Sequence, residues 1–373
     1  MPSEIYGLVI PKYGMVMTEG VIAKWHLDEG DIVNEGDELV DIETEKVANV
    51  YESPHAGVLR RKLVPEGRSV PIGSLFGVIS APNAEDAEID AYINAFESSA
   101  SSVTATSAGG TSAAVVDIPG GYIRFLKLGD DPAPAAVLVH GFGADLNNWL
   151  LNQGSVAESR SAYAIDLPGH GGSMKNPKIA TIDEMATALL RFLDAKNLQS
   201  MHLVGHSLGG GVAARIAIEK PGLVKSLTLI AAVGLGREIN FPFIKGLIEI
   251  DRRKDMRNLL ETLFHDPALV SRDMTMGVLN AKRIDGAMTC LKSIAESCFA
   301  GGEQTRVLRS ELVQLPMPIQ VIWGQSDRII PPEHAANLPK SIRVHLLEKA
   351  GHMVHMEKAA EVNKLISHFI AAN

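Results

Sequence analysis

Short runs of apolar and β-branched residues, separated by glycine and proline, fill residues 1–80. Five of these runs are VIAKWHL, DELVDIE, KVANVYE, GVLRRKLV and LFGVIS. Runs of this length, with turn residues between them, are typical of β-strands. Because the runs follow one another closely, the pattern predicts a small all-β barrel or sandwich over this part of the chain.

From residue 115 onward, apolar runs alternate with segments that have the 3.6-residue period of a helix. The helical period is clear over 182–196, 208–220 and 357–371, and the apolar runs are AAVLVH, SAYAID, MHLVGHS, SLTLIAA, IQVIWG and RVHLLE. Alternation of this kind predicts an α/β domain over 115–373, with a mostly parallel sheet and helices on both of its faces.

One connection in this second domain is unusually long. About ninety residues separate SLTLIAA from IQVIWG, which is more than a simple strand-to-strand crossover needs. The connection holds several amphipathic segments, so we predict a helical cap at about 235–310, inserted over the sheet.

The segment between the two domains, 81–114, has a different composition from either. It begins with the acidic stretch AEDAEIDAYINAFE, which predicts a short helix, and ends with SSASSVTATSAGGTSAA. The second stretch has almost no bulky side chain and no charge, so it cannot bury enough apolar surface to offset the entropy lost on ordering. We therefore predict a mobile tether over 98–114.

Composition and charge narrow the function classes. The 373 residues carry a net charge of −9, which disfavours nonspecific binding to nucleic acid. The start of the chain lacks the pattern of a secretory signal, and no apolar stretch reaches the ~18 residues that span a bilayer. The only cysteines are Cys290 and Cys298, which predicts free thiols, and we expect a cytoplasmic protein with no membrane association.

The most specific motif is Gly205-His206-Ser207-Leu208-Gly209. It follows an apolar run and precedes a helical segment, the context in which a serine at a tight turn becomes an exposed nucleophile. A glycine-rich turn with an incidental serine is the alternative interpretation of the same residues.

Serine needs a base to take its proton, and in this kind of domain the acid and the histidine follow the nucleophile along the chain. Asp327 ends the run PIQVIWGQSD, and His352 lies in the predicted loop LLEKAGHMVHME. His355 is the rival base, but it stands where the last helix is predicted to begin and lacks the flanking glycine. We therefore predict Ser207, Asp327 and His352 as the catalytic residues.

Acyl transfer also needs donors for the oxyanion that forms on the carbonyl. The backbone N–H groups of Leu208, at a helix start, and of Phe142, in the HGFG loop, are the candidates. We interpret His140, His206 and Asp166 as structural supports. The sequence has no HExxH and no paired CxxC, so no metal site is expected.

Together, HGFG, DLPGHGGS, GHSLGG, WGQSD and AGHMVHME resemble the α/β-hydrolase superfamily in type, order and spacing. The resemblance implies a nucleophile at Ser207, an acid at Asp327 and a base at His352. It does not fix the substrate, because this fold carries many chemistries.

Lys46 lies between DELVDIE and KVANVYE, where a hairpin would expose it. Spacing alone describes a solvated hairpin equally well. However, residues 3–80 resemble a biotinyl/lipoyl attachment domain, and DIETEKV is similar to the lipoyl version, because Glu45 and Val47 stand where the biotinyl version usually has methionines. This resemblance implies lipoate attached covalently to Lys46.

A lipoyl domain followed by an α/β hydrolase resembles the dihydrolipoamide acetyltransferase components of bacterial acetoin dehydrogenase complexes. The resemblance implies acetyl transfer from S-acetyldihydrolipoyl-Lys46 to coenzyme A. It also implies two partners, a thiamine-diphosphate-dependent dehydrogenase component and a dihydrolipoamide dehydrogenase component.

Two features depart from ordinary acyltransferase components. Their HxxxDG motif is absent, and the nearest match has Ala281 where histidine is required. The short tether also leaves no room for a peripheral subunit-binding domain. A lipoyl-bearing serine hydrolase that cleaves an ester, a thioester or a C–C bond is therefore the alternative function, and a carrier with an inactive hydrolase scaffold is a third.

Overall fold

The computed structural model describes residues 5–11, 19–43, 48–71, 73–93, 96 and 113–373. The chain divides into two compact units, 1–110 and 111–373, and each is described by itself. Most of the predicted tether, 98–112, lies outside the described residues.

The first unit consists of short strands in two sheets. The strands are β1 (Ile5–Val9), β2 (Glu19–Trp25), β3 (Ile32–Val33), β4 (Glu38–Glu43), β5 (Ala48–Glu52), β6 (Gly57–Lys62), β7 (Ser69–Pro71) and β8 (Leu75–Ser80). The orders are β1-β8-β6-β3 and β5-β4-β2-β7, and all pairs are antiparallel. The prediction of an all-β sandwich is confirmed.

Alternation along these strands builds a single small core. Leu8, Ile22, Leu39, Ile42 and Phe76 are fully buried in one cluster. The neighbours of Leu8, Ile22 and Ile42 along their strands are more exposed, as expected where successive side chains point to opposite faces. A helix, α1, covers 86–93 in the predicted acidic segment.

The second unit is built on one eight-stranded sheet. Its strands are β9 (Ala114–Ile118), β10 (Gly121–Leu128), β11 (Ala135–Val139), β12 (Ala162–Ile165), β13 (Met201–His206), β14 (Val224–Ile230), β15 (Ile319–Gly324) and β16 (Ile342–Leu347). The order is β16-β15-β14-β13-β11-β12-β10-β9. The strands from β11 to β16 pair in parallel, and β10 pairs antiparallel with β12 and β9.

Helices occupy the connections between these strands. They are α2 (Gln153–Ala157), α3 (Ile182–Ala195), α4 (Leu208–Glu219), α5 (Phe241–Glu249), α6 (Arg253–Leu260), α7 (Arg272–Lys282), α8 (Ala287–Cys298), α9 (Arg309–Leu312), α10 (Val354–Glu357) and α11 (Ala359–Ala371). Every residue of β13 and β15 is buried, because helices cover both faces of the sheet. The predicted α/β fold is confirmed.

The segment from β14 to β15 contains α5 to α9 and is held at its base by side-chain amides. Gln304 accepts a hydrogen bond from the Gly234 N–H (2.7 Å) and donates one to the Glu238 carbonyl (2.8 Å). The Asn240 N–H donates to the Ile329 carbonyl (2.7 Å). The start of the predicted cap is therefore tied to the loop that follows β15.

No helix within the described parts of the chain has both the length and the apolar character needed to cross a bilayer.

Candidate active site

Ser207 stands at a strained turn between β13 and α4. Its φ of +52° and ψ of −120° are rare for a residue with a side chain and cost on the order of 1–3 kcal/mol. A Cβ on Gly205 would lie 2.4 Å from the Gly209 carbonyl oxygen, and one on Gly209 would lie 2.3 Å from that of His140. The spacing of glycines around the serine is thus a steric requirement of this turn.

The backbone of Ser207 is fixed from several sides. Its N–H donates to the Ile230 carbonyl (2.9 Å), and its carbonyl accepts from Gly210 N–H (2.9 Å) and Val233 N–H (3.0 Å). These bonds hold the turn in place and direct the side chain away from the sheet.

Asp327 and His352 form a buried hydrogen-bonded pair. The Nδ1 of His352 donates to Oδ2 of Asp327 at 2.9 Å, and the other carboxylate oxygen accepts from the N–H groups of Ile329 (2.8 Å) and Ile330 (3.0 Å). With Nδ1 as donor, Nε2 of His352 is left as the basic nitrogen.

Ser207 and His352 line the same cavity, which has a volume of about 290 Å³. Phe142 lines it as well, and Asp327 contacts His352 from behind. The structure thus places the predicted nucleophile and base on one cavity, with the predicted acid directly bonded to the base.

The two predicted oxyanion donors belong to segments that adjoin the serine. Leu208 is the first residue of α4 and follows Ser207 directly, and Phe142 follows Gly141, where an added Cβ would lie 3.0 Å from Ser207 Cβ. Throughout the described part of the chain, no protein acceptor takes the N–H of Phe142 or of Leu208. Both are therefore available to a substrate oxygen.

His206 supports His352 through the backbone. Its Nε2 donates to the His352 carbonyl (3.1 Å), and its Nδ1 accepts from the side-chain amide of Asn148 (3.3 Å). Burial holds the pKa of His206 well below its usual value, which keeps the imidazole neutral, and the two hydrogen bonds fix this tautomer. Sequence reasoning assigned His206 a supporting role but missed Asn148.

His355, the rival base, occupies a different environment. Its ring packs against those of His206 (4.5 Å between centroids) and Trp149 (5.0 Å) and is fully buried. Burial lowers its pKa to about 3. The cavity is lined by His352 and not by His355.

The other histidine and the aspartate interpreted as supports also bond within the protein. His140 Nδ1 donates to the Gly141 carbonyl (2.8 Å), and its Nε2 accepts from the Leu167 N–H (3.0 Å). Asp166 is fully buried and pairs with Arg124 (2.9 Å). Sequence reasoning did not find Arg124, because a charged residue within a strand gives no signal of its distant partner.

Lys46 lies outside the described residues. The strands on either side of it, β4 and β5, pair antiparallel up to Glu43 and Ala48. Only the four residues 44–47 separate these paired positions, and Glu43 beside them is exposed.

Comparison with known proteins agrees with both units. The alpha/beta hydrolase fold family matches residues 134–359, and the family described as biotin-requiring enzyme matches 7–79. A meta-cleavage product hydrolase from Pseudomonas fluorescens IP01 superposes with a TM-score of 0.63 at 20% identity, covering 70% of this chain and 98% of that one. This last similarity concerns the fold alone.

Two relatives match along almost the whole chain. The dihydrolipoyllysine-residue acetyltransferase component of the acetoin cleaving system of Pseudomonas putida is 40% identical over 99% of both chains. The protein of the same name from Cupriavidus necator is 38% identical over 97% of this chain and 96% of its own. The chain therefore belongs to the alpha/beta hydrolase fold family and, within it, to the family of dihydrolipoyllysine-residue acetyltransferase components of acetoin cleaving systems.

Proposed function

We propose that this protein transfers an acetyl group from a thioester on lipoyl-Lys46 to coenzyme A, with Ser207 as nucleophile, His352 as base and Asp327 as the acid that orients it. The observation that carries the proposal is the cavity shared by Ser207 and His352, with Asp327 bonded to His352 at 2.9 Å. The names of the full-length relatives indicate the acyl group, which is acetyl, and its carrier, which is a dihydrolipoyl lysine.

Lipoate fits the first unit. The pairing of β4 with β5 leaves Lys46 within the four residues that connect these two strands, next to the exposed Glu43. Attached there, lipoate supplies the dithiol whose sulfur carries the acetyl group.

In the first half of the reaction, the Ser207 hydroxyl attacks the thioester carbonyl carbon while Nε2 of His352 takes its proton. The N–H groups of Phe142 and Leu208 donate to the oxyanion. The C–S bond then breaks, His352 returns the proton to the departing thiol, and Ser207 is left as an acyl ester.

In the second half, the thiol of coenzyme A gives its proton to His352 and attacks the ester carbonyl. The C–O bond to Ser207 breaks, and the serine recovers the proton from His352. Asp327 stabilises the imidazolium in both halves and fixes the tautomer of His352.

The domain assignment is part of the proposal: a lipoyl-attachment domain over 1–80, a linker over 81–114 and a hydrolase domain over 115–373 with a cap at about 235–310. The relatives are named as components of a cleaving system, which supports other components as partners. We propose a thiamine-diphosphate-dependent dehydrogenase and a dihydrolipoamide dehydrogenase, in the cytoplasm, where the free thiols Cys290 and Cys298 stay reduced.

The decisive experiment supplies acetyl-dihydrolipoyl protein with and without coenzyme A. We expect acetyl-CoA to form, and we expect Ser207→Ala to lower the rate by about 10³-fold or more. Ser200→Ala, which removes a hydroxyl from the loop before β13, is the matched control and should keep the rate. Release of acetate at one rate, with or without coenzyme A, would instead support the alternative of a lipoyl-bearing hydrolase.

A further inference from the structure

The cavity beside Ser207 is larger than an acetyl group requires. Its volume is about 290 Å³, near the lower end of the range for small-molecule sites. A group the size of a water molecule takes up about 30 Å³, so the cavity has room for roughly ten such groups. An acetyl group adds only a methyl group to the reacting carbonyl, and most of the cavity is then left for something else.

The residues that line the cavity indicate what kind of group fills the remaining space. The polar side chains of the lining all come from outside the cap, and they are Asp145, Asn147, Asn148, His206, Ser207 and His352. The cap contributes an apolar wall made of Phe243, Leu247, Leu260, Phe264, Met274 and Val278. Amide and phosphate groups lose hydrogen bonds against such a wall, whereas each buried methylene improves binding by about fourfold.

Two small residues of α7 lie beside this space. Gly277 and Ala281 are one helical turn apart, which puts them on the same face of the helix, and both line the cavity. A Cβ added to Gly277 would meet no heavy atom within 4 Å. The backbone at Gly277 is helical and not left-handed, and glycine is a poor helix former. Gly277 is also exposed, so the open space beside it is the mouth of the cavity, and a side chain added there would stand at that mouth.

We propose, building on the proposed function, that this cavity binds a linear hydrocarbon chain of about four to eight carbons next to Ser207, and that Gly277 determines the length of that chain. The chain has two possible sources with the same chemistry. It is either the acyl group itself or the hydrocarbon portion of the thiol that carries the acyl group.

Two substrate series given to the full-length protein separate these sources. In the first, the acyl group of p-nitrophenyl esters grows from acetyl to octanoyl with a constant leaving group. In the second, acetyl thioesters are made with ethanethiol to octanethiol, so that only the thiol grows. We expect kcat/KM to rise by about twofold to fourfold per methylene in one series, and the series that rises identifies the source.

Gly277→Leu puts a side chain at the mouth of the cavity, where the far end of a long chain would lie. We compare kcat/KM for the longest and the shortest substrate of the series that rises. Gly277→Leu should lower this ratio at least tenfold, and Gly277→Ala should give an intermediate ratio. The matched control is Gly154→Leu in α2, where an added Cβ also meets nothing within 4 Å and which does not line the cavity. The control should keep the wild-type ratio.

Binding to the Ser207→Ala protein tests the proposal without turnover. Calorimetry should show octanamide binding at least tenfold more tightly than butanamide, and Gly277→Leu in the same background should remove the difference. Equal binding of the two amides, or a kcat/KM that ignores chain length in both series, overturns the proposal. If octanamide binds tightly but no turnover depends on Ser207, the result contradicts the proposed function and leaves the chain-binding proposal standing.

Discussion

His352 is held in place at two different points, its side chain and its backbone. The side chain donates to Asp327, and the carbonyl accepts from His206, which is itself oriented by Asn148. The imidazole that must accept a proton is therefore positioned by a second imidazole that is kept neutral by burial. His206 is a positioning residue, since it contacts the base and not the serine hydroxyl.

His206→Leu removes the donor to the His352 carbonyl, and we expect kcat/KM for an acetyl thioester to fall about tenfold to a hundredfold. His206→Gln keeps an amide donor and should recover most of the loss. The split between kcat and KM separates positioning from packing, because release of His352 should lower kcat and leave KM nearly unchanged. If both variants lose activity equally and the loss lies in KM, His206 serves packing only.

Lys46 is the residue through which the first unit would act. Coexpression with a lipoate ligase should add one lipoyl group to the intact protein, and mass spectrometry should find it on Lys46. Lys46→Arg keeps the charge but not the nucleophilic amine, so it should remain unmodified. Lys24→Arg, on strand β2 of the same unit, is the control and should be modified normally. A Lys46→Arg protein that still gains the mass would contradict the assignment.

Sequence motifs gave the candidate residues of the site where the chemistry is local. The serine turn is recognisable because Gly205 and Gly209 are forced by contacts within a few residues of Ser207. Asp327 could be found because it follows the buried strand β15, and His352 because it lies in the loop between the last strand and the last helices. Asn148 lies 58 residues from His206, and such a distant partner leaves no pattern along the chain. Gly277 was missed because an isolated glycine in a helix carries no local signal.

Strands and helices could be predicted where buried and exposed residues repeat regularly along the element. The helices predicted at 182–196 and 208–220 are observed as Ile182–Ala195 and Leu208–Glu219. The hairpin of β9 and β10 was not among the predicted strands, because β9 is a sheet edge with four of its five residues exposed or half-buried. On β10, the buried Arg124 interrupts the apolar pattern, and only its pairing with Asp166 explains it.

The turn between β13 and α4 has no room for a side chain at Gly205. Gly205→Ala puts a Cβ 2.4 Å from the Gly209 carbonyl oxygen, and relief of that overlap moves the helix start. We expect a loss of about 1–3 kcal/mol in the free energy of unfolding, measured by urea denaturation. Gly222→Ala, where a Cβ meets nothing within 4 Å, is the control and should change stability by less than about 0.5 kcal/mol. Equal stability of the two variants would contradict the steric account.

At the scale of the whole molecule, buried neutral histidines make the second unit sensitive to acid. Burial lowers the pKa of His170 and of His355 to about 3, whereas an unfolded histidine has a pKa of about 6.5. Below pH 6.5 the unfolded chain binds more protons than the folded one, so folding stability is lost as the pH falls from 6.5 towards 3. Each group contributes a slope of about 1.4 kcal/mol per pH unit in that window.

Urea denaturation at pH 7.5, 6 and 5 tests this sensitivity, with fluorescence of the buried Trp149 and Trp323 reporting on the second unit. His355→Phe keeps an aromatic ring between its neighbours but cannot take up a proton. Between pH 6 and 5 it should lower the slope by about 1.4 kcal/mol per unit. His368→Phe, on the last helix, is the control. An unchanged slope in His355→Phe would show that this histidine does not oppose protonation.

The hydrogen bond between Asn240 and Ile329 joins the start of α5 to the loop that carries Asp327. Asn240 begins the cap, and the side chain of Asn240 also donates to the Arg328 carbonyl (2.9 Å), one residue after Asp327. A movement of α5 away from the sheet would therefore have to break these bonds or carry the loop after Asp327 with it. The position of the carboxylate that bonds His352 thus depends on how the first cap helix is seated.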